Sequence, residues 1–202
     1  MYLVLDLETT YFERGEIDFS KIKPLFIGCL EVKKIERRRD EDWYKVKYKY
    51  FIWEQIDKFF EYFINLEDIK IIVCGFNLLR FDLPLLILKA DVNRSLLIEF
   101  LNKWNKLFQK DLFLFLDMLT GRRMKKEEYF EFFGIEYKSK NLKNEISNID
   151  DLIRYNKNEL IKYWELWYRI NCLILGLRDV ITHEKEKCDN IAKRKLKIIE
   201  GE

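Results

Sequence analysis

Four acidic residues and a tyrosine occupy three short segments of this 202-residue chain. Asp6-Leu7-Glu8-Thr9-Thr10 closes an apolar run, and Gly75-Phe76-Asn77-Leu78-Leu79-Arg80-Phe81-Asp82-Leu83-Pro84 lies mid-chain. Tyr155-Asn156-Lys157-Asn158-Glu159 lies towards the end. Residues i and i+2 of a strand leave the same face, so Asp6 and Glu8 aim two carboxylates one way. Tyr155 and Glu159, four apart, share a face if they lie on a helix. Taken singly, each segment has an ordinary structural explanation. Acids are common at strand ends, Asp at a helix start satisfies free backbone N–H groups, and Tyr-x-x-x-Glu suits any amphipathic helix. In one cleft, however, four carboxylates repel one another unless cations neutralise them. Two Mg²⁺ or Mn²⁺ ions about 3.5–4 Å apart would do so and could hydrolyse a phosphodiester.

In order and spacing, the segments resemble the three motifs of the DEDD superfamily of 3′–5′ exonucleases, which have a ribonuclease H-like fold. The likeness runs from about residue 1 to residue 170. It is strongest to the branch with a tyrosine in its third motif, which includes the exonuclease domains of family B DNA polymerases and stand-alone relatives. Asn77 with Phe81-Asp82-Leu83-Pro84 is the most specific match. The resemblance implies that Asp6 bridges two ions, that Glu8 and Glu159 complete one shell, and that Asp82 acts mainly through water on the other. It implies that Tyr155 orients the attacking water; with an unperturbed pKa near ~10, tyrosine is a poor base. Thr9, Asn77 and Phe81 would hold the terminal nucleotides. The implied activity is metal-dependent 3′–5′ trimming of single-stranded DNA or RNA ends, with DNA favoured by the polymerase likeness.

One position departs from the family pattern: the third motif usually ends in Asp, and here it ends in Glu159. The added methylene extends the carboxylate by roughly 1.5 Å, against Mg–O distances of about 2.0–2.1 Å in a near-octahedral shell. Two expectations follow. Either a backbone or rotamer shift absorbs the methylene, or the metal site is weakened and the chain is a ribonuclease H-like module that binds nucleic acid or protein without cutting. An endonuclease on the same fold is a third reading, distinguishable by its ability to cut circular substrates.

Other residue types narrow the chemistry. The single histidine, His183, lies beyond the third motif, which disfavours the histidine-type branch, a Ser–His–Asp arrangement and a histidine-based zinc site. Four scattered cysteines, at 29, 74, 172 and 188, have neither zinc nor disulfide spacing and are expected to be free thiols. Lys+Arg 37 against Asp+Glu 35 nearly cancels, so any basic track for a strand must be local. Arg122 and Arg123, with Lys125 and Lys126, could line the cleft edge; Arg37–Arg39 reads as a solvated hairpin turn. Phe76, Phe81 and Tyr137 are candidates for base stacking. Asp117 is a possible acidic neighbour that the metal set does not need.

The elements that must position these groups can be read from periodicity. Tyr2–Leu7, Leu25–Lys33 and Trp43–Trp53 read as a three-stranded antiparallel start, the last with Tyr44, Val46, Tyr48 and Tyr50 alternating with lysines. Glu54–Asn65 carries a helical apolar stripe, Ile69–Cys74 reads as a buried strand, and Phe81–Lys89 as a helix with Pro84 in its first turn. Ser95–Phe108 is expected to be helical and Leu112–Asp117 a strand. A short helix over Glu127–Phe133 ends at Gly134. A long helix capped by Asp150 or Asp151 runs to about residue 182, with a break. The expectation is an α/β, ribonuclease H-like domain over 1–182, built on a mixed five-stranded sheet with helices on both faces. A charged tail, helical or partly disordered, occupies 183–202. No stretch reads as a membrane span and the start lacks a secretory signal, so a cytoplasmic protein is expected.

Overall fold

A computed structural model describes residues 1–10, 18–37, 41–67, 70–137, 148–181 and 195–201. Tyr2–Thr9 (β1), Pro24–Arg37 (β2) and Glu41–Ile52 (β3) form an antiparallel meander. Its alternation follows the sequence: Tyr44 and Val46 are buried while Lys45 and Lys47 are exposed. After α1 (Ile56–Ile64), β4 (Ile72–Gly75) pairs parallel with β1. After α2 (Leu83–Lys89) and α3 (Arg94–Lys106), β5 (Phe108–Asp111) pairs parallel with β4. Next come α4 (Leu112–Thr120), α5 (Lys126–Phe132) and α6 (Ile149–Ile181).

The result is an α/β fold on a mixed sheet in the order β5-β4-β1-β2-β3-β6, where β6 is Lys195–Glu200. The sheet separates two cores. On one face Phe59, Phe60 and Phe63 of α1 pack with Phe100 and Trp104 of α3 against Leu3, Leu5 and Val73. On the other, Leu160, Trp164 and Trp167 of α6 pack with α4 and α5 against Val4, Leu30 and Val46. A strand buried on both sides reads as a continuous apolar run, as β1 does. Among the described residues no helix is long and apolar enough to cross a membrane.

Several expectations need correction. Among the described residues the sheet has six strands rather than five, because Lys195–Glu200 of the charged tail pairs parallel with β3. Alternation explains it: Leu196 and Ile198 pack against the α6-side core while Lys195 and Lys197 stay exposed or half-exposed. Leu112–Asp117 is helical, and the strand lies just before it at Phe108–Asp111. The run Leu-Phe-Leu-Phe-Leu fits either period. Asp111 decides for helix by accepting the N–H groups of Phe113 at 3.0 Å and Leu114 at 3.3 Å, which caps the first turn. The long helix begins at Ile149, just after Asn148, whose Oδ1 accepts the Asp151 N–H at 2.9 Å, and it continues unbroken to Ile181. Gly134, at φ +66°, closes the short helix as expected. His183, Cys188, Arg38 and Arg39 lie outside the described residues; Cys29 and Cys74 are buried free thiols.

Candidate metal centre

The site forms where α6 crosses the end of β1. Asp6 and Glu8 leave the same face of this central strand, Asp6 half-buried and Glu8 buried. From α6, Asn156 and Glu159 point back at i and i+3, and both are buried. The Asn156 amide lies between the two β1 acids. Its Nδ2 donates to Asp6 Oδ2 at 2.9 Å and to Glu8 Oε1 at 3.0 Å, and its Oδ1 accepts the Tyr48 hydroxyl at 3.1 Å. Gly28, paired with Asp6 across the sheet, makes room for this amide, since a Cβ there would stand 1.8 Å from Asn156 Oδ1.

Glu159 is held from the other side. Its Oε1 accepts Lys126 Nζ at 2.5 Å, the Tyr137 hydroxyl at 2.5 Å and the Tyr163 hydroxyl at 2.9 Å. Lys126 also donates to the Tyr163 hydroxyl at 2.7 Å, and its ammonium lies within 5.2–5.8 Å of the rings of Phe76, Tyr137 and Tyr163. Tyr155 reaches this group through a hydrogen bond between its hydroxyl and that of Tyr137.

Carboxylate oxygens of Asp6, Glu8 and Glu159 all lie within 4.8 Å of one another. Adjacent and opposite oxygens around an octahedral Mg²⁺ at about 2.0–2.1 Å stand about 3–4 Å apart. Modest side-chain movement would therefore bring all three onto one ion, so the donors fit a hard divalent cation.

The electrostatics agree with that fit. Burial, then the charges of Glu8, Glu159 and Asp82, push the Asp6 carboxyl well above its ordinary range. Burial and Glu159 push Glu8 up to about 7, against the opposing Asn156 hydrogen bond, and Glu8 also hydrogen-bonds Asp6. Burial alone would raise Glu159 too, but Lys126 and the two tyrosine hydroxyls outweigh it and hold this carboxyl below its usual value. The Glu159 and Asp6 charges in turn raise Lys126 against the opposing effect of burial. Burial and Glu159 hold Tyr155 far up, as a neutral phenol.

Asp82 sits beside this cluster. It is buried, burial raises its carboxyl well above the ordinary range, and a hydrogen bond from the Leu7 backbone opposes the rise. Its position comes from a π-helical turn, Leu78–Asp82, that leads into α2 with Pro84 in the first turn. Asn77 starts that turn in the left-handed region at φ 63°, which Asn tolerates better than most residues. Buried Asp111 clamps it, accepting the Asn77 N–H at 3.1 Å and the Leu79 N–H at 2.8 Å.

The structure thus brings Asp6, Glu8 and Glu159 together, sets Asp82 alongside and keeps Tyr155 one hydroxyl away. Thr9, Asn77 and Phe81 are half-buried near these acids in sequence, and the Phe81 ring lies 5.9 Å from that of Phe19. Arg122 and Arg123 are exposed on the α4–α5 turn, Arg123 over the Phe113 ring at 5.0 Å; the basic side chain that enters the site is Lys126. Phe76 is core rather than a stacking platform, and Tyr137 stacks on Phe130 at 4.2 Å while its hydroxyl serves Glu159. Asp117 accepts the Tyr129 hydroxyl at 2.6 Å, a bond between α4 and α5. Sequence reasoning gave no role to Asn156, Tyr48, Gly28, Tyr163 or Asp111. Only Asn156 carried a usable signal, as a polar residue between Tyr155 and Glu159 on a helix face turned to the sheet. No family model matches the chain, and no curated protein matches it.

Proposed function

We propose that this protein is a metal-dependent 3′–5′ exonuclease of the tyrosine-type DEDD kind, acting on single-stranded ends of DNA or RNA. The supporting observation is the convergence of the Asp6, Glu8 and Glu159 carboxylates within 4.8 Å, at the places where the three motifs resemble that family. The element order supports a ribonuclease H-like reading of the fold: three antiparallel strands, then helices alternating with parallel strands.

Asp6, Glu8 and Glu159, with Asp82 beside them, would hold one or two Mg²⁺ or Mn²⁺ ions, which when bound supply charge neutralisation at the phosphate and acidify a water. The remaining work falls to the chain's own groups. Tyr155 stays protonated and orients water by its hydroxyl. Lys126 carries positive charge beside Glu159, at the rim where a phosphate would approach. Asn77, Phe81 and Thr9 offer the terminal nucleotides polar and aromatic contacts.

A second reading has one observation in its favour: Glu159 Oε1 already accepts from three donors, as in a site that binds a strand without cutting it. The experiment that separates the two uses 5′-labelled single-stranded DNA and RNA, with Mg²⁺, Mn²⁺ or chelator, beside an Asp6→Ala/Glu8→Ala double variant. A metal-dependent ladder shortening from the 3′ end, lost in the variant, is the expected result. Retained strand binding without cleavage in either metal overturns the enzyme reading.

A further inference from the structure

Asn156 is fully buried, and all three of its polar bonds lie inside the site. An amide offers two donors on nitrogen and an acceptor on oxygen. Here both donors go to carboxylates of β1 and the acceptor is taken by Tyr48 of β3. The amide is placed with its nitrogen towards the two acids and its oxygen towards Tyr48, which gives every polar atom a partner when the acids are ionised. The surroundings are built for this amide. Gly28 is the β2 residue opposite Asp6, and any side chain there would occupy the position of Oδ1. Asn is an indifferent helix former, and burying an amide is unfavourable unless it is bonded, so neither helix stability nor packing explains it at this position.

We infer that Asn156, seated by Gly28 and Tyr48, is a positioning residue that holds the Asp6 and Glu8 carboxylates in register for a shared divalent ion. This rests on the metal-dependent reading above. Donating to one oxygen of each acid limits rotation of both side chains, so the pair meets an ion already oriented. Polar groups bonded to metal ligands commonly set affinity by 10–100-fold. Glu159 is oriented separately by Lys126, Tyr137 and Tyr163, so loss of Asn156 disorders the β1 acids alone.

The test is Mn²⁺ binding to the purified chain, read from the electron paramagnetic resonance signal of free Mn²⁺. The proteins compared are wild type, Asn156→Ala, Gly28→Ala, Tyr48→Phe and Asp6→Ala. Folding is checked for each by far-ultraviolet circular dichroism. Asn156→Ala and Gly28→Ala are expected to bind Mn²⁺ about 10–100-fold more weakly, the second without loss of any polar group. Tyr48→Phe removes one hydroxyl from a half-buried position and keeps the test open should the other two fail to fold; a smaller loss of affinity in the same direction is expected. In cleavage assays, raising Mn²⁺ restores kcat to the Asn156 variant with the strand KM unchanged, whereas Asp6→Ala stays inactive. Wild-type Mn²⁺ affinity in the folded variants overturns the inference alone. Absence of Mn²⁺ binding by the wild type overturns the metal reading, and the inference with it.

Discussion

The contact between Lys126 and Glu159 makes a quantitative prediction through the substitution Lys126→Met. Methionine keeps the length and the apolar contacts with Phe76, Tyr137 and Tyr163 but removes the charge and both hydrogen bonds. Two unit charges a few ångströms apart attract by about 5 kcal/mol at an effective dielectric near 20. The net loss is smaller. Breaking a fully buried pair costs about 3–5 kcal/mol, but the Lys126 side chain is 31% exposed against 4% for Glu159. Glu159 also keeps the Tyr137 and Tyr163 hydroxyls. We expect a loss of about 2 kcal/mol at pH 8 in urea melts without metal, a midpoint shift of about 1 M. The sign with pH follows from linkage. The Glu159 carboxyl is held below its ordinary value, so its contribution is present above the unfolded pKa and lost as pH falls through the native one. Without Lys126, burial acts against a less compensated charge, and the variant recovers by protonating Glu159. The deficit relative to wild type should therefore shrink towards pH 4. An equal deficit at both pH values, or none at pH 8, would refute the pairing as a source of stability.

Further expectations follow from the same geometry. The Glu8 carboxyl is raised to about 7, so its contribution to stability is fully present below its unfolded pKa and lost as pH rises through about 7. Binding of Mn²⁺ should then release protons and tighten between pH 6 and pH 8, checked by calorimetry in buffers of different ionisation enthalpy. Asp111→Ala strands the backbone N–H groups of Asn77, Leu79, Phe113 and Leu114. It should destabilise the chain by about 2–4 kcal/mol in urea melts. Glu159→Asp installs the residue usual in the third motif of the exonucleases that the chain resembles, yet withdraws the carboxylate from Lys126, Tyr137 and Tyr163 by roughly 1.5 Å. It should weaken Mn²⁺ binding about tenfold; tighter binding in the same titration would show that those three donors do not set the position of Glu159.

Much of the frame was legible because β3, α1 and α6 carry readable periods and β1 is a short apolar run closed by acids. An apolar run ending in Asp6-Leu7-Glu8 reads as a central strand, and the lysine–tyrosine alternation of β3 reads as a half-covered one. Leu112–Leu116 was misread because five consecutive apolar residues have no period to read, and the deciding contact comes from Asp111. The sixth strand was missed because the charge density of the tail hides a short alternation, Lys195-Leu196-Lys197-Ile198, that makes sense only beside β3. Both errors share a cause: the deciding partner is tertiary, and local propensity does not contain it.

The site divides in the same way. Its acids were legible because strand and helix geometry places i, i+2 and i, i+4 pairs without knowledge of the rest of the fold. Most of the groups that hold those acids were not, since they act across a long separation: Asn156 lies 150 residues from Asp6, and Lys126 lies 33 from Glu159, Tyr163 at i+4 of Glu159 being the exception. Glu159 shows what this means at the third acidic segment. On sequence alone its extra methylene either is absorbed by a small shift or weakens an expected metal shell. In the folded chain the same Oε1 is the point where an ammonium and two phenols from α5, the segment after it and α6 converge. A carboxylate so held is one whose position is set by its donors before any ion arrives. Shortening it therefore tests the residue at 159 and the three groups around it as one unit.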